Sequence, residues 1–183
     1  MEQTLAPGLI IAVPHLQDPN FRQTVVLLLE HNEHGAVGMI LNRESEIRLE
    51  ELCRDHDIPF AGDPDKRVRV GGPVQPERGL VLFGEPHEDP EGNQVLDGLS
   101  LSASTNTLGN LCNTRDGHFQ CYSGFAGWDA GQLERELEEG VWITGPVDAD
   151  TVLDMPPDEM WDHVLKANGI DPSAIVPGGS AEA

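Results

Sequence analysis

Three apolar runs dominate the N-terminal third: GLIIAV at residues 8–13, TVVLLLE at 24–30 and AVGMIL at 36–41. Short runs of β-branched and aliphatic residues bounded by turn residues predict strands, and apolar residues at consecutive positions predict cover on both faces. Pro14 closes the first run. His31-Asn32-Glu33-His34-Gly35 separates the other two and predicts an antiparallel hairpin. Shorter strand patterns follow at 68–70, 80–83, 95–101, 118–123 and 141–144, with loops at 71–79 (GGPVQPERG) and 85–92. Helical spacing appears at 48–56, where Leu49, Leu52, Cys53 and His56 share a side, and at 104–112, where Ser104 is the cap. A third helix is expected with Asp129 as cap, Gln132 completing a capping-box pattern, Leu133 and Leu137 packing inward, and Gly140 as stop. The last starts near Pro157, carries Met160, Trp161, Val164 and Leu165 on one stripe, and stops at Asn168-Gly169. Strands in consecutive runs, interspersed with short helices, predict an α+β fold rather than a doubly wound one. One domain over residues 1–177 is expected, with a frayed tail at 178–183.

Charge narrows the partners. The 183 residues include 32 acidic and 11 basic side chains, for a formal net charge of -21. Such a surface repels phosphate backbones, so nucleic acid is excluded as a direct partner, and anionic membranes are disfavoured on the same ground. The densest basic group, Lys66-Arg67-Arg69, alternates with Val68 and Val70 and reads as the wet face of a strand. Only Lys66 and Lys166 are lysines, and an acid-rich, lysine-poor surface suits a salty cytoplasm where self-repulsion is screened. Three cysteines without close pairing, and no basic region followed by a long apolar run, lead to the expectation of a reducing, cytoplasmic location.

The chain contains no Walker phosphate loop, no G-x-G-x-x-G, no nucleophile elbow, no H-E-x-x-H and no paired C-x-x-C. No cofactor and no metal site are therefore expected. Two groups carry metal-donor residue types: Glu30, His31, Glu33 and His34 around one turn, and Cys112, His118 and Cys121, whose spacing fits no common zinc module. The first reads as a solvated turn and the second as buried hydrophobes around a histidine. His15 and Asp18, in HLQDPNF after the first strand, have the residue types of a base and its orienter, with no nucleophile nearby. Arg43, at a strand exit beside Asn42, can grip a carboxylate or phosphate, or pin a loop. Exposed amides around Gly72 and Pro73 can hold an anion, and Gly127-Trp128 precedes a helix start, a plausible small-molecule corner.

Read in order, APGLIIAVPHLQDPNFRQTVVLLLEHNEHGAVGMILNR, GGPVQPERGLVLF and GFAGWDAGQLERELEEGVWI, followed by Met160-Trp161 through Asn168-Gly169-Ile170-Asp171, resemble the AlgH/YqgE family of bacterial proteins over nearly the whole chain. The resemblance implies an α+β domain with a bifurcated, mostly antiparallel sheet folded into a pseudo-barrel and flanked by helices. It implies no known reaction; the family's label as a transcriptional regulator is not a mechanism, and nothing here resembles a helix-turn-helix. Family-like positions expected to line a shared surface are His15, Asp18, Phe21, Asn42, Arg43, Gly72, Pro73, Gly127, Trp128 and Gln132. The family usually continues Asn-Arg with Pro, whereas Glu44 stands here and places a carboxylate beside Arg43. The expected function is a non-enzymatic binding or regulatory domain acting through a small ligand or a protein. The alternatives are an enzyme using the His15/Asp18/Arg43 region, and an interaction protein presenting Glu134, Glu136, Glu138 and Glu139 of the third helix.

Overall fold

The fold is a computed structural model, which describes residues 4–84, 92–113 and 118–173. All of the expected loop at 85–92 but Gly92, and the tail at 178–183, lie outside the described residues. The first three apolar runs become β1 (Gly8–Ala12), β2 (Val25–Asn32) and β3 (Gly35–Ile40), and β2 and β3 form the expected antiparallel hairpin. They are followed by β4 (Glu44–Arg48), α1 (Leu49–Asp55), β5 (Arg67–Val70), β6 (Val74–Phe83), β7 (Asn93–Leu96), β8 (Leu99–Ser102) and α2 (Thr105–Cys112). The remainder is β9 (Phe119–Asp129), α3 (Gln132–Glu138), β10 (Trp142–Gly145), α4 (Ala149–Asp154) and α5 (Pro157–Ala167).

The strands form one curled sheet, a half-barrel, in the order β10-β1-β2-β3-β9-β6-β8-β7, with β4 and β5 branching from it. Among the described residues every pairing is antiparallel except that of β5 with β9. The sheet forks along β9. The C-terminal part of β9 pairs with β3, placing Ala36 opposite Trp128; its N-terminal part pairs with β6 and, at Tyr122 and Ser123, with β5. The fork is tied by Gly71, whose N–H donates to Ser123 O at 2.8 Å and whose carbonyl accepts from Ile40 N at 2.7 Å. Gly72 then passes so close that a Cβ would sit 2.2 Å from the Phe125 carbonyl, at a φ of +156°, so only glycine fits.

Both faces of the sheet are covered. On one, α4 and α5 bring Val152, Leu153, Met160, Trp161, Val164 and Leu165 onto β1, β2 and β3 residues such as Ile11, Leu27 and Met39. On the other, α3 packs Leu133 over Ile10, Val26, Ile40 and Trp128, while α1 and α2 pack Leu49, Cys53, Leu108 and Leu111 over Val68, Val81 and Phe119. Ser104 caps α2, accepting from Asn106 N at 3.1 Å. Trp161 anchors α5 through its indole N–H, 2.9 Å from Ala12 O.

The structure corrects several expectations. Residues 95–101 are not one strand: Asp97-Gly98 turns the chain between β7 and β8, with Gly98 at φ +79°. Asp-Gly is a strong hairpin signal, masked by the apolar residues around it. Val74 to Gly79 lies within β6 rather than in a loop, and 124–129 extends β9, because each finds a ladder partner that no local pattern reveals. The structure adds the edge strand β4 and the helix α4, which Asp148 caps by accepting from Thr151 N at 2.7 Å. Asp129 does not cap α3; the N-cap is Gly131 in the left-handed region, φ +77°. The reciprocal half of the expected pattern holds, since the Gln132 side chain accepts from Asp129 N at 2.9 Å. Finally, Arg69 is not on a wet face: it is buried, with Nη1 donating to Leu41 O at 3.0 Å beside the buried Tyr122.

Candidate functional site

Nine of the ten family-like positions separate into three groups, and His15 stands apart. Asp18 lies in the segment between β1 and β2, and Asn42 and Arg43, between β3 and β4, hydrogen-bond to that segment. Asp18 caps its own turn, accepting from Asn20 N at 2.9 Å through its carboxylate and from Phe21 N and Arg22 N through its carbonyl. Asn42 bridges strands: its Oδ1 accepts from Val25 N and its Nδ2 donates to Gln23 O, both at 2.9 Å. Arg43 donates from Nη1 to Asn20 O and from Nη2 to Arg22 O, so it pins this segment. His15 is exposed and forms no hydrogen bond with Asp18.

Phe21, Trp128 and Gln132 form the second group. Phe21 packs against Trp128 and Trp142, with ring centroids 6.1 and 5.6 Å away. The indole N–H groups of Trp128 and Trp142 both donate to Glu136 Oε1, at 3.0 and 2.8 Å, and Gln132 Nε2 donates to Glu136 Oε2 at 3.0 Å. Glu136 is the residue the sequence reading missed, because it was counted on a solvated acidic face. Two tryptophans near one helix are the available signal, since a buried indole N–H needs an acceptor. The acidic face shrinks further because Glu134 accepts from His31 Nε2 at 2.9 Å, while His31 Nδ1 accepts from Leu5 N at 3.0 Å. That arrangement sets the His31 tautomer: Nδ1 is the acceptor and Nε2 carries the proton. The His31 bond is the main reason the Glu134 carboxyl lies below its ordinary value.

Gly72, Pro73 and Gly127 form the third group, placed by backbone pairing at the fork and in β9. Trp128 therefore sits within a strand and under a helix, not at a helix start. His15, Gly72 and Trp128 are not among the described residues that line the cavity at Arg43.

The metal-donor groups do not converge either. His31 turns inward while His34 stays exposed beside Glu33, and among the described residues no three His, Cys, Asp or Glu side chains cluster to hold an ion. His118 hydrogen-bonds Asp154, whereas Cys112 faces Cys53 with 3.2 Å between sulfurs. Burial raises all three thiols, Cys121 to about 12.

The sequence-selected residues that do meet at a cavity are Asn42 and Arg43. They line a polar cleft of about 420 Å³ with Arg22 and Gln23, facing Asp158, Trp161 and Asp162 on α5. Among the described residues no carboxylate approaches either guanidinium within 4.0 Å. Burial and then the neighbouring Arg22 lower Arg43 from its ordinary value, with Asp18 opposing. Two adjacent arginines favour an oxyanion; two carboxylates across the cleft favour a donor or cationic group.

The fold and cleft together define an α+β half-barrel domain with a polar cleft at one end of the strands. Its relatives are consistent throughout: the AlgH-like family model matches residues 9–173. The chain belongs to the AlgH-like family. A UPF0301 protein of Myxococcus xanthus is 41% identical, covering 96% of this chain and 97% of that protein, and one of Chromobacterium violaceum is 38% identical with 94% of each covered. The solution structure of the AlgH protein from Pseudomonas aeruginosa superimposes with a TM-score of 0.75 at 35% identity, covering 93% of this chain and 94% of that one. A crystal structure of a Corynebacterium diphtheriae protein, 20% identical over 91% of this chain and 88% of its own, shares the fold with a TM-score of 0.74.

Proposed function

We propose that this protein is a non-catalytic binding domain that takes a small polar ligand in the Arg22/Arg43 cleft. The ligand's oxyanion sits at the two arginines, and its donor or cationic end faces Asp158 and Asp162. The observation that carries this reading is the arginine pair itself: in a chain with 32 acidic side chains, neither guanidinium has a carboxylate within 4.0 Å among the described residues. Among the described residues the lining offers no hydroxyl, thiol, amine or imidazole, which favours binding over chemistry. A net charge of -21 opposes DNA contact, so a regulatory output would run through the ligand. Three buried free thiols support a reducing, cytoplasmic setting, and among the described residues no helix is long and apolar enough to cross a membrane.

Thermal unfolding with O-phosphoethanolamine, inorganic phosphate and ethanolamine tests the reading, since a ligand bound only by the folded state raises the midpoint. O-phosphoethanolamine is expected to raise it most, and Arg22→Gln to abolish the rise. Arg22 is the variant of choice because Arg43 also holds the backbone. No shift with any probe, or an equal shift in Arg22→Gln, would sink the proposal.

A further inference from the structure

β6 departs from its ladder where it enters the core. Val74 pairs with Phe125 and Gly79 with Ser123, so the β6 side advances from 74 to 79 while β9 moves only from 125 to 123. Gln75, Pro76, Glu77 and Arg78 therefore bulge outward, exposed, opposite Gly124. The bulge is held in an unfavourable backbone: Gln75 has φ +47°, a region that non-glycine residues seldom adopt. Bulges re-aim side chains, and strained backbone persists where the surroundings over-determine it.

Here the bulge brings Arg78 to the mouth of a second cavity, about 450 Å³, that opens between the two halves of the forked sheet. Leu29 and Val37 come from one half, Leu80, Val95 and Leu101 from the other, and Phe125 from the shared strand β9. Leu29, Val95, Leu101 and Phe125 pack on the main core yet remain only partly buried, so apolar surface faces the open volume. The volume falls in the range of small-molecule pockets, whose walls are mostly apolar with a few placed polar groups. Among the described residues Arg78 has no acidic side chain within 4.0 Å, and Glu30 stands on the rim without pairing with it.

We propose that this cavity binds a small amphiphile, with a hydrocarbon body between the sheet halves and a single carboxylate at Arg78. It is separate from the arginine cleft and stands whether or not that cleft binds a ligand. Wall chemistry selects the body: burying hydrocarbon against six apolar side chains is favourable without directional partners. The unpaired guanidinium selects the head, and Glu30 confines the negative charge to the Arg78 side.

A heteronuclear NMR titration with decanoate, below its aggregation concentration, tests the assignment against decanol and decylamine. Saturable shifts are expected at Leu29, Val37, Val95 and Phe125, with affinity falling from decanoate to decanol to decylamine. Arg78→Gln, an exposed change, should weaken decanoate about tenfold or more while leaving decanol nearly unchanged. Val95→Trp, with folding checked by circular dichroism, should block all three. Absence of saturable shifts, equal decanoate affinity in Arg78→Gln, or tightest binding by decylamine overturns the proposal.

Discussion

Glu136→Ala removes one side chain and leaves three donors without their acceptor. Trp128 and Trp142 are 6% and 4% exposed, and both indole N–H groups point at Oε1, so neither can turn to bulk water without repacking. Leaving a buried donor unsatisfied costs about 1–3 kcal/mol. Two such donors at a partly open site, where some water reaches the vacated space, give an expected loss of about 2–4 kcal/mol. Glu136→Gln keeps an acceptor but loses the charge; because charge-assisted bonds are roughly twice as strong as neutral ones, about 1–2 kcal/mol is expected. Urea unfolding followed by far-ultraviolet circular dichroism should show midpoints in the order wild type, Glu136→Gln, Glu136→Ala at constant m. Tryptophan emission should shift to the red in the folded Ala variant, over a constant background from Trp161, whose N–H bonds to Ala12 O elsewhere. A Glu136→Ala loss below about 0.5 kcal/mol, or a Gln variant as unstable as the Ala one, would show that the indoles find other acceptors and that Glu136 is a solvated residue after all.

Four further outcomes are expected. Gly72→Ala should destabilise by at least about 2 kcal/mol in the same assay, because the added Cβ meets the Phe125 carbonyl at 2.2 Å; a neutral result would mean the fork can open. Asn42→Ala should cost about 1–3 kcal/mol by freeing the Val25 N–H and Gln23 carbonyl, with hydrogen exchange accelerating first at Val25. For Glu134 the folded pKa lies below 4.5, so its bond to His31 contributes stability at higher pH that is lost as pH falls through the lower folded value. The stability gap between wild type and Glu134→Gln should then narrow as pH falls below 4.5, and a gap that widens there refutes it. The buried thiols, with Cys121 held near 12, should resist alkylation by N-ethylmaleimide in the folded protein and react fully in urea, as read by mass spectrometry.

The early strands were legible because β1, β2 and β3 carry nearly unbroken apolar runs, and burial on both faces is what such runs require. The apolar stripe Met160, Trp161, Val164 and Leu165 and the Pro157 start likewise placed α5, and Ser104 placed the start of α2. The family was legible for a different reason: long motifs survive as residue strings whatever their role. The candidate site was legible only as residue types. Arg43 and Asn42 stood out, but Arg22 and the α5 carboxylates that complete their cleft lie more than 100 residues apart in sequence. Glu136 looked like any exposed helical glutamate until the fold set two indoles against it.

Local sequence thus determined β1, β2, β3 and α5 and the start of α2, since hydrophobic period and capping act over a few residues. Only the tertiary structure decided that β9 is shared between two sheet halves, that the 74–79 segment joins a ladder with a bulge, and that Arg69 is buried. The physical reason is common to all three: each depends on which distant backbone supplies the hydrogen-bond partner, and no local pattern carries that information.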